Sequence, residues 1–86
     1  MENQDDKLRD ACFEVYLFFE TLGDLKYSEI KSKLEYVIGS YNFDKNPVGL
    51  FEIGEIALKN LKEIKKKSPK SINKKVIEEL EKSLKK

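Results

Sequence analysis

Apolar residues recur along this chain at spacings of four and three in four separate stretches, the period of a helix with one buried face. The clearest stretch opens at Asn46. Leu50, Gly54, Ala57, Leu61 and Ile64 fall on a single helix face. Ile53 and Leu58 widen it, while Glu52, Glu55, Lys59 and Lys62 fall mostly elsewhere. Asn46 offers a side-chain cap, and Pro47 suits a first helical position, where its missing N–H costs nothing. A helix is expected over 47–67. Earlier, Leu8, Cys12, Val15, Phe19 and Leu22 predict a helix over 6–22, stopped by Gly23. Tyr27, Ile30, Leu34, Val37 and Tyr41 predict another over 28–41, with Ser28 as its cap. Pro69 ends the third helix, and Val76, Ile77, Leu80 and Leu84 predict a fourth over 72–85, capped by Ser71 or Asn73.

Amphipathic helices this short are held by each other, and short links make sequential helices antiparallel. The expected fold is therefore all-α, a small antiparallel bundle of four helices forming a single domain over 1–86. Its core should hold Leu8, Cys12, Val15, Phe19, Leu34, Val37, Leu50, Ala57, Leu61 and Leu80. Gly39, inside the second helix, reads as a point of close backbone approach, opposite Gly54. The fourth helix has the narrowest apolar edge, so it should be the least firmly held.

Composition adds limits. Charged residues are 38% of the chain and the apolar set 40%, with four Tyr and five Phe, enough core material to argue against disorder. No apolar run approaches the ~18 residues of a membrane span. The opening residues are acidic where a secretory signal would be basic and then apolar, which points to a cytoplasmic protein, as does a single cysteine. Net charge is +1, yet residues 1–43 carry −4 and residues 44–86 carry +5. Mutual attraction of the two halves within the fold is the simplest reading of that asymmetry.

Catalytic chemistry finds little support. Histidine is absent, which removes the commonest general base and zinc ligand. Cys12 lies on the densest apolar face, where a thiol behaves as a small hydrophobe. The carboxylates are scattered among lysines, and no Glu-x-x-His pair of a diiron bundle is present. Neither Gly49 nor Gly54 fits a phosphate-loop or dinucleotide spacing. No catalytic residue, cofactor, metal or small-molecule ligand is expected, and the chain reads as a non-enzyme.

Two features suggest contact with other molecules. On the first helix Phe13, Tyr16, Leu17 and Phe18 exceed a single buried stripe, so a partner protein or a second copy would cover them. Tyr41, Phe43 and Phe51 flank the turn before Pro47, and read first as a plug for the bundle end and second as contact anchors. The expected function is a non-enzymatic binding or adaptor module working through protein contacts or self-association. The alternative is nonspecific nucleic-acid binding by Lys65, Lys66, Lys67, Lys70, Lys74 and Lys75, six lysines with no acid between them. Near-neutral overall charge and a lone arginine, Arg9, favour a solvated helix end for that cluster. The length, the lysine-rich composition and the Pro-opened third helix after an aromatic-Asp loop (Tyr41 to Leu50) resemble enterocin-type bacteriocin immunity proteins. The resemblance implies a small cytoplasmic antiparallel four-helix bundle that protects its producing cell. It is architectural, transfers no functional residue, and leaves that family's recognition segment beyond the bundle unmatched.

Overall fold

Four α-helices and one 3₁₀ turn make up the computed structural model, which describes residues 4–85: α1 (Gln4–Leu22), the turn Leu25–Tyr27, α2 (Ser28–Asp44), α3 (Val48–Lys67) and α4 (Lys74–Leu84). Residues 1–3, which carry part of the acidic opening, and residue 86 lie outside the described residues. The helices form an antiparallel bundle about 35 Å long. Around it α1 packs on α2, α2 on α3, α3 on α4 and α4 back on α1, while α1 and α3 also meet across the diagonal. The start of α1 is tied to the end of α4, where Gln4 Nε2 donates to the Ser83 carbonyl at 3.1 Å.

Most of the periodic positions are buried, although Leu22 at the end of α1 is exposed and Val76, Ile77 and Leu84 of α4 are half-buried. Leu8, Cys12, Val15, Phe19, Leu34, Val37, Leu50, Ala57, Leu61 and Leu80 all lie in one core, joined by Ala11, Tyr27, Ile30, Tyr41, Ile64 and Ile72. Phe19 stacks on Tyr27 at 5.2 Å between ring centroids, closing the core beneath the first connection. The ion pair that ties α3 to α4, Lys62 Nζ–Glu81 Oε2 at 3.0 Å, lies within the basic half rather than between the two halves. The halves meet mainly through apolar packing, which stabilises more than ion pairs between exposed side chains do.

The connections follow from capping chemistry, with some differences from the sequence reading. Gly23 takes φ +64, and its N–H reaches the Phe19 carbonyl at 3.1 Å, closing α1 as a glycine C′ residue does. Ser28 does not cap α2. Asp24 caps the preceding 3₁₀ turn, accepting from the Lys26 N–H at 2.9 Å, and that turn runs directly into α2, which has no side-chain cap. The second helix continues past Tyr41 to Asp44, because Lys45 takes a left-handed φ of 61 and donates to the Tyr41 carbonyl at 2.7 Å. Two side chains then shape the next link. Asp44 Oδ1 accepts from the Asn46 N–H at 2.9 Å, and Asn46 Oδ1 from the Val48 N–H at 3.1 Å. The Asn46 side chain thus satisfies the first helical N–H, but Pro47 takes the cap position itself, one before the helix, rather than the first helical position expected of it. Asn73 caps α4 through the Lys75 N–H at 2.9 Å, and Ile72 before it is buried.

Close approach also falls elsewhere than the sequence suggested. A Cβ on Gly39 would meet nothing within 4 Å, whereas one on Gly49 would sit 2.9 Å from Val37 Cγ1. The tight α2–α3 contact is at Gly49, and Gly54 faces Leu84, Cys12 and Leu80.

Candidate functional site

The outward face of α2 is built from what its buried stripe leaves over. Ile30, Leu34, Val37 and Tyr41 turn inward, which places Ser32, Tyr36, Gly39 and Phe43 on the opposite side at 100° per residue. Large aromatics at such positions are unusual in a chain that has a core to fill. Tyr36 is 76% exposed and Phe43 is 92% exposed. They stand seven residues apart, nearly two turns, so they project in almost the same direction about 10.5 Å apart along the axis. Gly39 leaves the space between them open, and a shallow cleft of about 540 Å³ is lined by Ser32, Glu35, Tyr36, Gly39, Ser40 and Phe43.

On the neighbouring helix, α1 shows Phe13 at 47% and Leu17 at 38% exposure. A polar seam joins the two helices. Phe13 stacks on Tyr16 at 6.2 Å, the Tyr16 hydroxyl donates to Glu35 Oε2 at 3.2 Å, and Lys31 Nζ lies 5.7 Å from the Tyr16 ring centroid. That hydrogen bond to Glu35 holds the Tyr16 proton and raises the phenol's pKa above its ordinary value. α2 thus carries an outward pair of exposed rings, and a polar seam through Glu35 joins it to α1.

The remaining sequence candidates divide by burial. Phe18 is half-buried against Phe19, with centroids 5.6 Å apart. Tyr41 and Phe51 do plug the bundle end, Tyr41 being fully buried and Phe51 packed against the core, while Phe43 does not join them. The Tyr41 hydroxyl donates to Asp6 Oδ1 at 2.6 Å, and its ring lies near two cations, 6.0 Å from Arg9 Cζ and 5.2 Å from Lys45 Nζ. The hydrogen bond to Asp6 pushes the Tyr41 pKa up to about 12, with burial adding to the shift.

That link predicts a stability change in alkali. Because the folded state holds the Tyr41 proton more tightly than the unfolded chain, this contribution is complete below about pH 10 and is lost as pH rises toward 12. Tyr41→Phe should lower the urea midpoint at neutral pH. The gap between variant and wild type should narrow steadily above pH ~10. A gap that stays constant to pH ~12 would show that the Asp6 bond contributes nothing.

The six lysines of the cluster differ in their contacts. Lys65 Nζ folds back and donates to the carbonyls of Pro69 at 3.0 Å and Ile72 at 3.3 Å, fastening the α3–α4 link. Lys74 pairs with Glu78 at 3.5 Å. Lys66, Lys67, Lys70 and Lys75 are exposed, and Lys75 borders an α1–α4 groove of about 830 Å³ with Lys7, Asp10, Glu14, Glu79 and Lys82. Mixed signs there give no single-sign field for a polyanion.

Cys12 is buried, and burial pushes its thiol up to about 12, so it stays protonated and unreactive at neutral pH. Among the described residues no group of three or more His, Cys, Asp or Glu side chains is placed to hold a metal ion. No helix among them is long and apolar enough to cross a membrane. Comparison with family models, curated proteins and solved structures gives no match for this chain. The resemblance to immunity proteins therefore rests on architecture alone.

Tyr36 is the site residue that sequence reasoning passed over, being off the apolar stripe of its helix. Its signal was present nonetheless: an aromatic seven residues before Phe43, with Gly39 and Ser40 between.

Proposed function

We propose that this chain is a non-enzymatic protein-contact module whose docking face is the outer surface of α1 and α2. The exposure of Tyr36 and Phe43 on the side of α2 away from the core carries this reading. Two large rings held open to water on a firmly packed helix have a solvation cost that contact with a partner removes. Rigid aromatics are also the side chains most often found as interface anchors, because few rotatable bonds are frozen on binding. Phe13 and Leu17 add exposed apolar side chains on α1, and the Tyr16–Glu35–Lys31 seam between the helices supplies polar groups for register.

Photo-cross-linking in cells of the source tests this. A benzoylphenylalanine at position 36 or 43 should give discrete protein adducts, whereas one at Glu63, exposed on α3, should give none. Adducts to nucleic acid from the same group at Lys70, with none from α2, would replace this reading with the polyanion one. Absence of any adduct from α2 would remove the docking face.

A further inference from the structure

The order Tyr36-Val37-Ile38-Gly39-Ser40-Tyr41-Asn42-Phe43 is symmetric on its outward side. One exposed aromatic stands three residues before Gly39 and the other three residues after Ser40. An interface between identical copies requires a patch that matches itself under two-fold rotation. In antiparallel helices, opposed residues have numbers with a constant sum. With the axis at the Gly39–Ser40 peptide, Tyr36 faces Phe43 of the second copy, and Gly39 faces Ser40 of the second copy. Building on the protein-contact reading above, we infer that a second copy of this chain covers the outer face of α2, the two helices crossing antiparallel at Gly39–Ser40.

Three further observations fit that geometry. Gly39 has open space where a Cβ would lie, so nothing blocks close approach at the crossing point. The flanks are compatible in charge: Lys33 and Asp44 lie 20° apart around α2, and the same register brings each Lys33 within half a turn of Asp44 of the second copy. The exposed Lys33–Glu29 pair at 3.1 Å is a weak competitor for that lysine. On the other flank Glu35, held by Tyr16, meets the neutral Asn42 of the second copy rather than a like charge. Area sets the strength. Two exposed rings supply about 300 Å² per copy, and the polar flanks bring the contact toward ~600 Å² per copy, the scale of reversible association rather than of an obligate dimer.

Sedimentation equilibrium on the purified chain, from about 5 to about 500 μM, should therefore show a monomer–dimer equilibrium with Kd in the tens of micromolar, as expected for an interface at the small end of the range. Phe43→Asp should weaken it at least about 30-fold, since each substitution removes the ring from both halves of a symmetric contact. Helicity by circular dichroism should not change, because the ring is exposed. Ser40→Cys should form an interchain disulfide under mild oxidation, while Ser32→Cys, about 22 Å from its symmetry mate, should not. Phe13→Asp should leave the dimer in place.

A monomer throughout that range overturns the inference, and α2 adducts with a different protein in the cell experiment would then leave the contact-module reading standing. A dimer that survives Phe43→Asp overturns the inference as well. If α2 also gives no adducts, the wider reading fails with it.

Discussion

Leu61→Ala is expected to destabilise the bundle by about 2–5 kcal/mol. Leu61 is fully buried on α3, which, like α1, touches all three other helices. Truncation removes transfer free energy and leaves a cavity that neighbours anchored on three sides cannot collapse to fill. For 86 residues a total stability of about 4–13 kcal/mol is typical, so the loss is at least about a sixth of it and can exceed half. A urea titration should show the midpoint falling by roughly 1 M or more. Ile56→Ala on the same helix provides the control. Ile56 is partly exposed on the outer side, and its truncation should cost no more than about 1 kcal/mol. Equal losses at the two positions would mean that α3 does not present the face assigned to it.

The buried side of each helix was legible because the period of 3.6 leaves little choice once a stripe of four or five apolar residues is present. Leu8, Cys12, Val15 and Phe19 on α1, and Leu50, Ala57, Leu61 and Ile64 on α3, illustrate this. Helix ends were less legible where two signals compete. Past Tyr41 the segment Asn42-Phe43-Asp44 adds nothing to the buried stripe, so the pattern falls silent, yet the backbone continues to a left-handed Lys45. A positive φ at lysine is an infrequent choice and leaves no compositional mark. At the first connection Asp24 and Ser28 both suit a cap. Asp24 caps the 3₁₀ turn, and α2 begins without a side-chain cap.

The site was half legible for a different reason. Surplus apolar residues on α1 were visible by counting, and the structure divides them into half-buried Tyr16 and Phe18 and exposed Phe13 and Leu17. No count separates Phe43 from Tyr41, two residues apart, although one is exposed and the other is the bundle's plug. That distinction appears only when the wheel of α2 is carried three residues beyond its expected end. Within the lysine cluster, composition treats all six residues alike. Lys65 lies among like residues but is committed to two carbonyls, and sequence does not reveal where a flexible chain end bonds.

Three glycines should respond differently to the same substitution, and Gly49→Ala should be the costly one, at about 1–3 kcal/mol. Its new Cβ would lie 2.9 Å from Val37 Cγ1 and 3.3 Å from Val37 Cβ. Valine in a helix holds essentially one χ1 rotamer, so relief requires α2 and α3 to separate. The usual gain of up to ~1 kcal/mol for alanine over glycine in a helix does not offset that, least of all in a first turn. At Gly54 the neighbour is Leu84 Cδ2 at 3.1 Å, the far end of a flexible side chain in the last turn of α4. It can yield, so Gly54→Ala should lie near zero. Gly39 is open, and Gly39→Ala should stabilise the monomer by about 0.5–1 kcal/mol. Urea titrations at about 1 μM, well below the dimer range, keep self-association out of the comparison. Adding Val37→Ala to Gly49→Ala should return about 1–2 kcal/mol relative to the sum of the single changes, since the two residues share one contact. Additive behaviour of that pair would show that Gly49 does not set the α2–α3 distance.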